Sequence, residues 1–119
     1  MQKTLMTSVK LQKKLNQKMM QRIICDGYGM KGKSKWIIEA VEQFLLLPNY
    51  PELVDIADDM NELNEMASLR LTESLTCKIE KAIVQIRKHY PIMEGVKSNL
   101  IRASIVQRLI REPTSVTEV

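Results

Sequence analysis

The sequence contains few of the residues on which catalysis and metal binding depend. Among its 119 residues are one histidine, two cysteines and four glycines, and aromatic residues make up only 4% of the chain. His89 has no nucleophile or carboxylate motif beside it, the glycines form no phosphate-binding loop, and Cys25 and Cys77 are not at metal-ligand spacing. The sequence therefore predicts a protein that is not an enzyme and has no metal, cofactor or small-molecule substrate.

Long apolar runs are also missing. No run reaches the roughly 20 apolar residues that a membrane helix needs, and the basic first residues lack the apolar segment of a signal peptide. We expect a cytoplasmic protein without a membrane partner, whose two thiols stay reduced and serve as small packed side chains. Apolar residues nevertheless make up 45% of the chain and charged residues 27%, which indicates a globular domain.

The charges are distributed unevenly along the chain. Residues 48–65 contain six acidic side chains and no lysine or arginine, so this segment carries −6 and the remainder +10. Residues 1–47 hold nine basic and three acidic side chains, and residues 66–119 hold nine and five. Two basic segments that flank an acidic one suggest a polyanionic partner, although an excess of positive charge can also serve solubility alone.

The two basic segments carry the same pattern of apolar residues. The stretch SVKLQKKLNQKMMQRII begins at Ser8, and SLRLTESLTCKIEKAIV begins 60 positions later at Ser68. Each opens with alternating polar and apolar residues, which predicts a short strand with one buried face. The period then changes to that of an amphipathic helix, with apolar positions Leu15, Met19 and Ile23 in the first copy and Leu75, Ile79 and Ile83 in the second.

A second helix is predicted in each copy. The first helix should stop near residues 27–29, because glycine accepts the left-handed conformation that ends helices, and its counterpart near residues 90–95. The second helices should begin at Lys33 and Lys97, each followed by a serine that can cap the first turn. Here the two copies are offset by 64 positions, so the second copy has the longer loop between its helices.

One such copy is too small to bury a good core of its own, so the two copies should share one. The sequence thus predicts a mostly α-helical fold with one short two-stranded antiparallel ribbon, in the order β-α-α, linker helix, β-α-α. We place the first copy at residues 1–47, the linker at 48–65, the second copy at 66–112 and a tail at 113–119. The alternative is an all-helical chain in which the short strands are the starts of helices.

The acidic linker should contain a short helix of its own. It opens with Pro48 and Pro51 and then places Leu53, Ile56, Met60 and Leu63 at helical intervals. We expect this helix to begin after Pro51, to cover part of the core with these apolar residues, and to stay away from a polyanion because of its charge. A role in binding a protein partner stays open.

This order of elements resembles the ribbon-helix-helix family of DNA-binding proteins, the Arc, MetJ and CopG type. In that family two chains each contribute one strand to an antiparallel ribbon that enters the major groove of DNA, while four helices form the core. One chain with both copies resembles the tandem TraY-type proteins of conjugative plasmids. The resemblance implies a covalent pseudo-dimer, which would pair the two strands and bury both helix pairs.

The resemblance also implies the site residues. Bases would be read by the outward positions of the strands, which are Ser8, Lys10 and Gln12 on the first and Ser68, Arg70 and Thr72 on the second. We expect Lys10 and Arg70 to be neighbours in the ribbon. Phosphates would be held by the amino ends of the second helices, at Lys33, Ser34 and Lys35 and at Lys97, Ser98 and Asn99. The two strand triplets differ, so a palindromic site is not required.

The implied function is sequence-specific binding of double-stranded DNA, as a transcription regulator of a plasmid, phage or other mobile element. The alternatives are an accessory protein at an origin of conjugative transfer, an antitoxin, and a helical interaction adaptor that does not bind DNA. The sequence leaves open the operator, the choice between activation and repression, and self-association on adjacent sites.

Overall fold

The computed structural model of the chain describes residues 4–29, 31–58 and 60–111. Its strands and helices follow one another as β1 (Thr4–Leu11), α1 (Lys13–Cys25), α2 (Lys33–Phe44), α3 (Tyr50–Ala57), β2 (Glu65–Thr72), α4 (Glu73–His89) and α5 (Val96–Arg111). Strands β1 and β2 form an antiparallel two-stranded ribbon, and the other elements of the described residues are helices. The predicted mostly helical fold with one short ribbon is confirmed, and the strands are not helix starts. The tail at 113–119 and Asp59 of the linker lie outside the described residues.

The alternation of polar and apolar residues does mark the strands. Val9 and Leu11 in β1, and Ala67, Leu69 and Leu71 in β2, are each at most 1% exposed. Successive strand residues point to opposite faces, so these five side chains form the inner face of the ribbon. Each strand leads almost directly into a helix, β1 into α1 and β2 into α4.

The first helix ends where the glycines predict. Gly27 has a φ of +83°, which favours a residue without a Cβ atom. Its N–H donates to the carbonyl of Ile24 at 3.0 Å, and the next N–H, that of Tyr28, donates to the carbonyl of Ile23 at 3.1 Å. These two bonds satisfy carbonyls that the helix end leaves without partners. The chain then turns back within seven residues and begins α2.

Side chains from both halves of the chain form one hydrophobic core. Helix α2 packs against α5, and each of them also contacts the strand from the other half, α2 with β2 and α5 with β1. The largest fully buried side chains come from both halves: Leu11, Met19, Ile23, Trp36, Ile37 and Phe44, and Leu69, Leu71, Ile79, Ile86, Leu100 and Ile101. Neither half could bury these residues alone, because the apolar stripe of each second helix is covered by the other half.

The linker helix exists, but it begins at Tyr50, before Pro51 and not after it, and its fully buried residues differ from the prediction. Val54 and Ala57 are 0% and 5% exposed, whereas Ile56 is 67% exposed. The helix ends at Ala57, so the predicted apolar positions 60 and 63 lie beyond it. The face with the smaller side chains lies toward α4 and α5, where it permits close approach between helices. Val54 and Ala57 cover part of the core, and two of the predicted residues, Leu53 and Met60, are half-buried and also pack against it.

Two smaller expectations also require correction. Cys25 and Cys77 are free and exposed, so they are not packed thiols. Ser34 and Ser98 do not cap their helices, because α2 has Gly32 at its N-cap and α5 begins at Val96, two residues before Ser98.

Among the helices of the described residues, none is both long and apolar enough to cross a membrane.

Candidate nucleic-acid interface

The solvent-facing side of the ribbon presents three pairs of directly opposed residues, called rungs below. Met6 lies opposite Arg70, Ser8 opposite Ser68, and Lys10 opposite Met66. All six side chains are exposed. These three rungs are called the outer face of the ribbon, and the buried inner face lies on the other side.

The pairing register centres the outer face on the Ser8/Ser68 rung. Residues 60 positions apart in the sequence are related by an approximate two-fold axis through this rung. Lys10 and Arg70, for example, each lie two residues after the serine of their own strand and so at opposite ends of the outer face. The expectation that Lys10 and Arg70 are neighbours is therefore wrong. They are four residues apart along the ribbon, about 13 Å at a rise of about 3.3 Å per residue. In an antiparallel ribbon, equivalent residues can face each other only at the centre, and here the serines do so.

Both free edges of the ribbon are bound by side chains from helices. The backbone N–H of Arg70 donates to Oγ of Ser34 at 3.0 Å, and Nη1 of Arg102 donates to the carbonyl of Lys10 at 3.0 Å. The polar backbone groups of Arg70 and Lys10 thus point away from the opposite strand. Such pairs are of the non-hydrogen-bonded kind, in which the Cα atoms are about 4.5 Å apart and the side chains lie close together.

Four of the six residues predicted to read bases lie on the outer face: Ser8, Lys10, Ser68 and Arg70. Gln12 and Thr72 lie at the N-caps of α1 and α4 and are half-buried. Nε2 of Gln12 donates to the carbonyl of Asn61 at 3.0 Å, and Oγ1 of Thr72 accepts the N–H of Leu75 at 3.2 Å. Both side chains are bonded to the protein backbone.

Met6 and Met66 also lie on the outer face, although they were not predicted there. They are 65% and 60% exposed. The outer-face residues of β1 are therefore Met6, Ser8 and Lys10, without Gln12, and those of β2 are Met66, Ser68 and Arg70, without Thr72. The sequence contained the evidence for this placement. Each methionine lies two residues before one of the serines, so it shares a face of the strand with that serine, and the two methionines are 60 positions apart. They were missed because the strands begin earlier than the alternating pattern indicates, at Thr4 and Glu65.

The first predicted phosphate site lies at the amino end of α2, beside the Arg70 end of the ribbon. Lys33, Ser34 and Lys35 occupy the first turn, where backbone N–H groups have no acceptor within the helix. The hydroxyl of Ser34 anchors this turn to β2. The ammonium of Lys35 lies 5.9 Å from the centre of the Tyr28 ring, and Lys31 is exposed just before the helix. Three lysines therefore surround this helix end.

The second predicted phosphate site, at the amino end of α5, lies beside β1. Nζ of Lys97 donates to Oγ1 of Thr7 at 3.1 Å, which uses one of the three donors of its ammonium group. Ser98 is half-buried. Asn99 is 2% exposed, and its amide nitrogen donates to Oδ1 of Asp58 at 2.7 Å and to the carbonyl of Glu94 at 3.2 Å. The Asn99 side chain is therefore occupied inside the protein, whereas the bond of Lys97 to Thr7 uses one donor of three.

Arg102 links this helix end to the ribbon. Besides its bond to Lys10, its guanidinium donates to Oδ1 of Asn99. Burial lowers the pKa of Arg102, and the nearby carboxylate of Asp58 opposes this shift. The acidic linker thus supplies a negative charge at the amino end of α5. The two ends of the ribbon differ electrostatically, with three lysines at the α2 end and one lysine near a carboxylate at the α5 end.

The chain matches no protein-family model, no curated protein and no solved structure. The resemblance to ribbon-helix-helix proteins therefore depends on the residues of the repeat and on the order of the elements. Within the described ranges, no three histidine, cysteine or acidic side chains converge as a metal site would require.

Proposed function

We propose that the chain is a sequence-specific double-stranded DNA-binding protein of the tandem ribbon-helix-helix kind, which inserts its ribbon into the major groove. The observation that carries the proposal is the register, with equivalent residues 60 positions apart placed about the central Ser8/Ser68 rung. Two strands related in this way are expected of a pseudo-dimer in which one polypeptide replaces two chains. Its shared core, to which both halves contribute, supports the same interpretation.

The chemistry of the outer face suits base recognition. A two-stranded ribbon fits the major groove, where arginine can donate two hydrogen bonds to O6 and N7 of guanine and lysine can donate to the same atoms. Arg70 and Lys10, at opposite ends of the outer face, would each read a guanine. The serines of the central rung can donate to or accept from base edges. At about 13 Å, the two guanines would be about four base pairs apart along the groove.

The flanking helix ends suit phosphate binding. Backbone N–H groups without acceptors in the helix and the helix dipole attract anions at the amino ends of α2 and α5. Ser34 of α2 and Arg102 of α5 bond to backbone groups at the two edges of the ribbon. Lys33, Lys35 and Lys97 would add charge there. The α2 end should bind its phosphate more strongly, because Asp58 reduces the positive potential at the α5 end.

Regulation of transcription in a plasmid, phage or other mobile element is the use that we propose first. The tandem arrangement favours one second candidate, an accessory protein that marks an origin of conjugative transfer. Both uses need the same DNA-binding surface, and they differ in where the preferred sequence lies in the source genome. Selection of bound fragments from random duplexes, followed by a search of that genome, would separate them.

Binding and its sequence preference can be tested together. From the selected duplex, Arg70→Ala should remove about 1 to 3 kcal/mol of binding free energy and relax the preference for guanine at one position. Lys33→Ala should weaken good and poor sites by similar factors and reduce the slope of log affinity against log salt by about 0.9. Lys97→Ala should reduce this slope less, since the carboxylate of Asp58 lowers the positive potential at the amino end of α5.

The matched control is Lys88→Ala. Lys88 is an exposed residue in the last turn of α4, about 22 Å along the helix from the ribbon. The substitution Lys88→Ala should leave the DNA affinity, the sequence preference and the slope of log affinity against log salt unchanged. If the wild-type protein selected no sequence and its affinity did not depend on salt, the helical adaptor would become the better hypothesis.

The pseudo-dimer has a separate test. Ser8 and Ser68 are opposed in a non-hydrogen-bonded pair, whose Cα separation of about 4.5 Å permits a disulfide. In a chain with Cys25→Ser and Cys77→Ser, the pair Ser8→Cys and Ser68→Cys should form an intramolecular disulfide on oxidation at high dilution. Ser8→Cys alone should form none. Crosslinked dimers as the main product of the double variant would mean that the ribbon forms between chains.

A further inference from the structure

The two methionines of the outer face have no evident structural task. Met6 and Met66 are 65% and 60% exposed, while the core on the inner face is closed by Leu69, Leu71 and their neighbours. A large apolar side chain in water gains nothing from that position. Single exposed apolar residues are common on proteins, but these two occupy equivalent places about the centre of the ribbon.

Each methionine is paired with a cation. Met6 lies opposite Arg70 and Met66 opposite Lys10, in rungs where the side chains lie close together. Each end of the outer face thus carries a cation with several donors, a guanidinium at one end and an ammonium at the other, beside an apolar thioether. A surface that buries both at once must offer hydrogen-bond acceptors and an apolar group side by side. The major-groove edge of guanine next to thymine offers both, through O6 and N7 of guanine and the 5-methyl group of thymine.

We infer that Met6 and Met66 are specificity-determining residues that contact the methyl groups of thymines beside the guanines read by Arg70 and Lys10. This inference depends on the proposed function, since it requires the ribbon to lie in the major groove. The preferred DNA then contains two guanine–thymine steps about four base pairs apart, one for each end of the outer face. The end with Arg70 is the more selective, because a guanidinium can make two hydrogen bonds to one guanine.

Deoxyuridine tests the contact, because it lacks only the methyl group of thymine. The preferred duplex is first selected with the wild-type protein, and each thymine is then replaced singly by deoxyuridine. Burial of one methyl group contributes about fourfold in affinity, so two positions should each lose about fourfold, as measured by fluorescence anisotropy. The other thymines should tolerate the replacement.

Variants assign each position to its methionine. Met6→Ala should bind the thymine and deoxyuridine duplexes equally at one sensitive position, and Met66→Ala should do so at the other. The control is Leu46→Ala, which removes a side chain that is 84% exposed beyond the end of α2 and should keep both sensitivities. Since Met6 and Met66 are mostly exposed, neither substitution should change the urea midpoint of unfolding.

The outcomes separate this inference from the proposed function. A selected duplex with no deoxyuridine-sensitive position would overturn the inference and leave sequence-specific binding intact. Sensitivity that persists in both methionine variants would also overturn it, because another side chain would then contact the methyl groups. If the wild-type protein selected no duplex, the proposed function and this inference would both be refuted.

Discussion

A buried arginine joins the second half of the chain to the first, and its removal is a quantitative test of the fold. Arg108 of α5 is 7% exposed, and its Nη1 donates to the carbonyl of Trp36 in α2 at 2.8 Å. Its guanidinium lies 4.6 Å from the centre of the Trp36 ring. Nη2 donates to the hydroxyl of Tyr28 at 3.1 Å, and a carboxylate oxygen of Glu39 lies 3.5 Å from Nη1.

The substitution Arg108→Met keeps the length and apolar stem of the side chain and removes its charge and donors. A hydrogen bond from a charged donor contributes about 1.5 to 3 kcal/mol, and a cation over an aromatic ring about 1 kcal/mol. Release of a charge from a buried position offsets part of this loss. We expect a net loss of about 2 to 3 kcal/mol in the free energy of unfolding. For a chain of this size, that corresponds to a decrease in Tm of about 8 to 12 °C.

Urea unfolding followed by circular dichroism would measure this loss. The matched control is Arg111→Met on the same helix, since Arg111 is exposed and its Nε donates to Gln107 one turn earlier, at 3.1 Å. That control should cost less than about 0.5 kcal/mol. Equal urea midpoints for the two variants would refute the idea that the buried guanidinium holds α5 against α2.

Three further predictions concern other parts of the fold. The Glu39 carboxylate accepts a hydrogen bond from the Tyr28 hydroxyl and raises the pKa of Tyr28 above 10.0, so its stabilisation is complete below about pH 10 and is lost as the pH rises through the folded-state pKa. Urea midpoints should therefore fall more steeply above pH 10 in the wild type than in Tyr28→Phe, and parallel pH profiles would argue against this bond. Val54→Ala should lower the free energy of unfolding by about 2 to 3 kcal/mol through lost burial and a cavity, whereas Ile56→Ala should lower it by less than about 0.5 kcal/mol. If urea unfolding showed a larger loss for Ile56→Ala, Ile56 and not Val54 would lie on the buried face of α3. Gly27→Ala should cost about 1 kcal/mol in the same assay because its φ is +83°, and an unchanged midpoint would mean that the end of α1 adapts freely.

The alternating and helical periods were enough to predict the elements. Strand residues such as Val9 and Leu69, and helix residues such as Met19 and Ile79, are buried where their spacing places them. The reason is local, because a period of two or of 3.6 residues puts all apolar side chains on one face, and only one conformation can bury that face. The glycine after α1 was equally readable, since its conformation follows from its missing Cβ atom.

The site was only partly predictable, because polar side chains have several uses of similar free energy. Ser8, Lys10, Ser68 and Arg70 lie on the outer face as predicted. Thr72, in contrast, accepts a backbone N–H as a helix cap. A threonine between a strand and a helix can either face solvent on the strand or cap the helix, and its residue type alone does not choose between these two uses.

By itself, the sequence determined the order of strands and helices, the inner face of the ribbon and the presence of a shared core, because each follows from local periodicity and from the small size of one copy. Only the tertiary structure decided where polar residues went when their partners are distant in the chain. Arg102 bonds to a carbonyl 92 positions away, and Arg108 to one 72 positions away. An isolated arginine is expected at the surface, since burial of its charge costs free energy unless several acceptors surround it. Those acceptors come together only when α2, α5 and the ribbon pack, so the buried arginines and the electrostatic difference between the two ribbon ends are properties of the assembled fold.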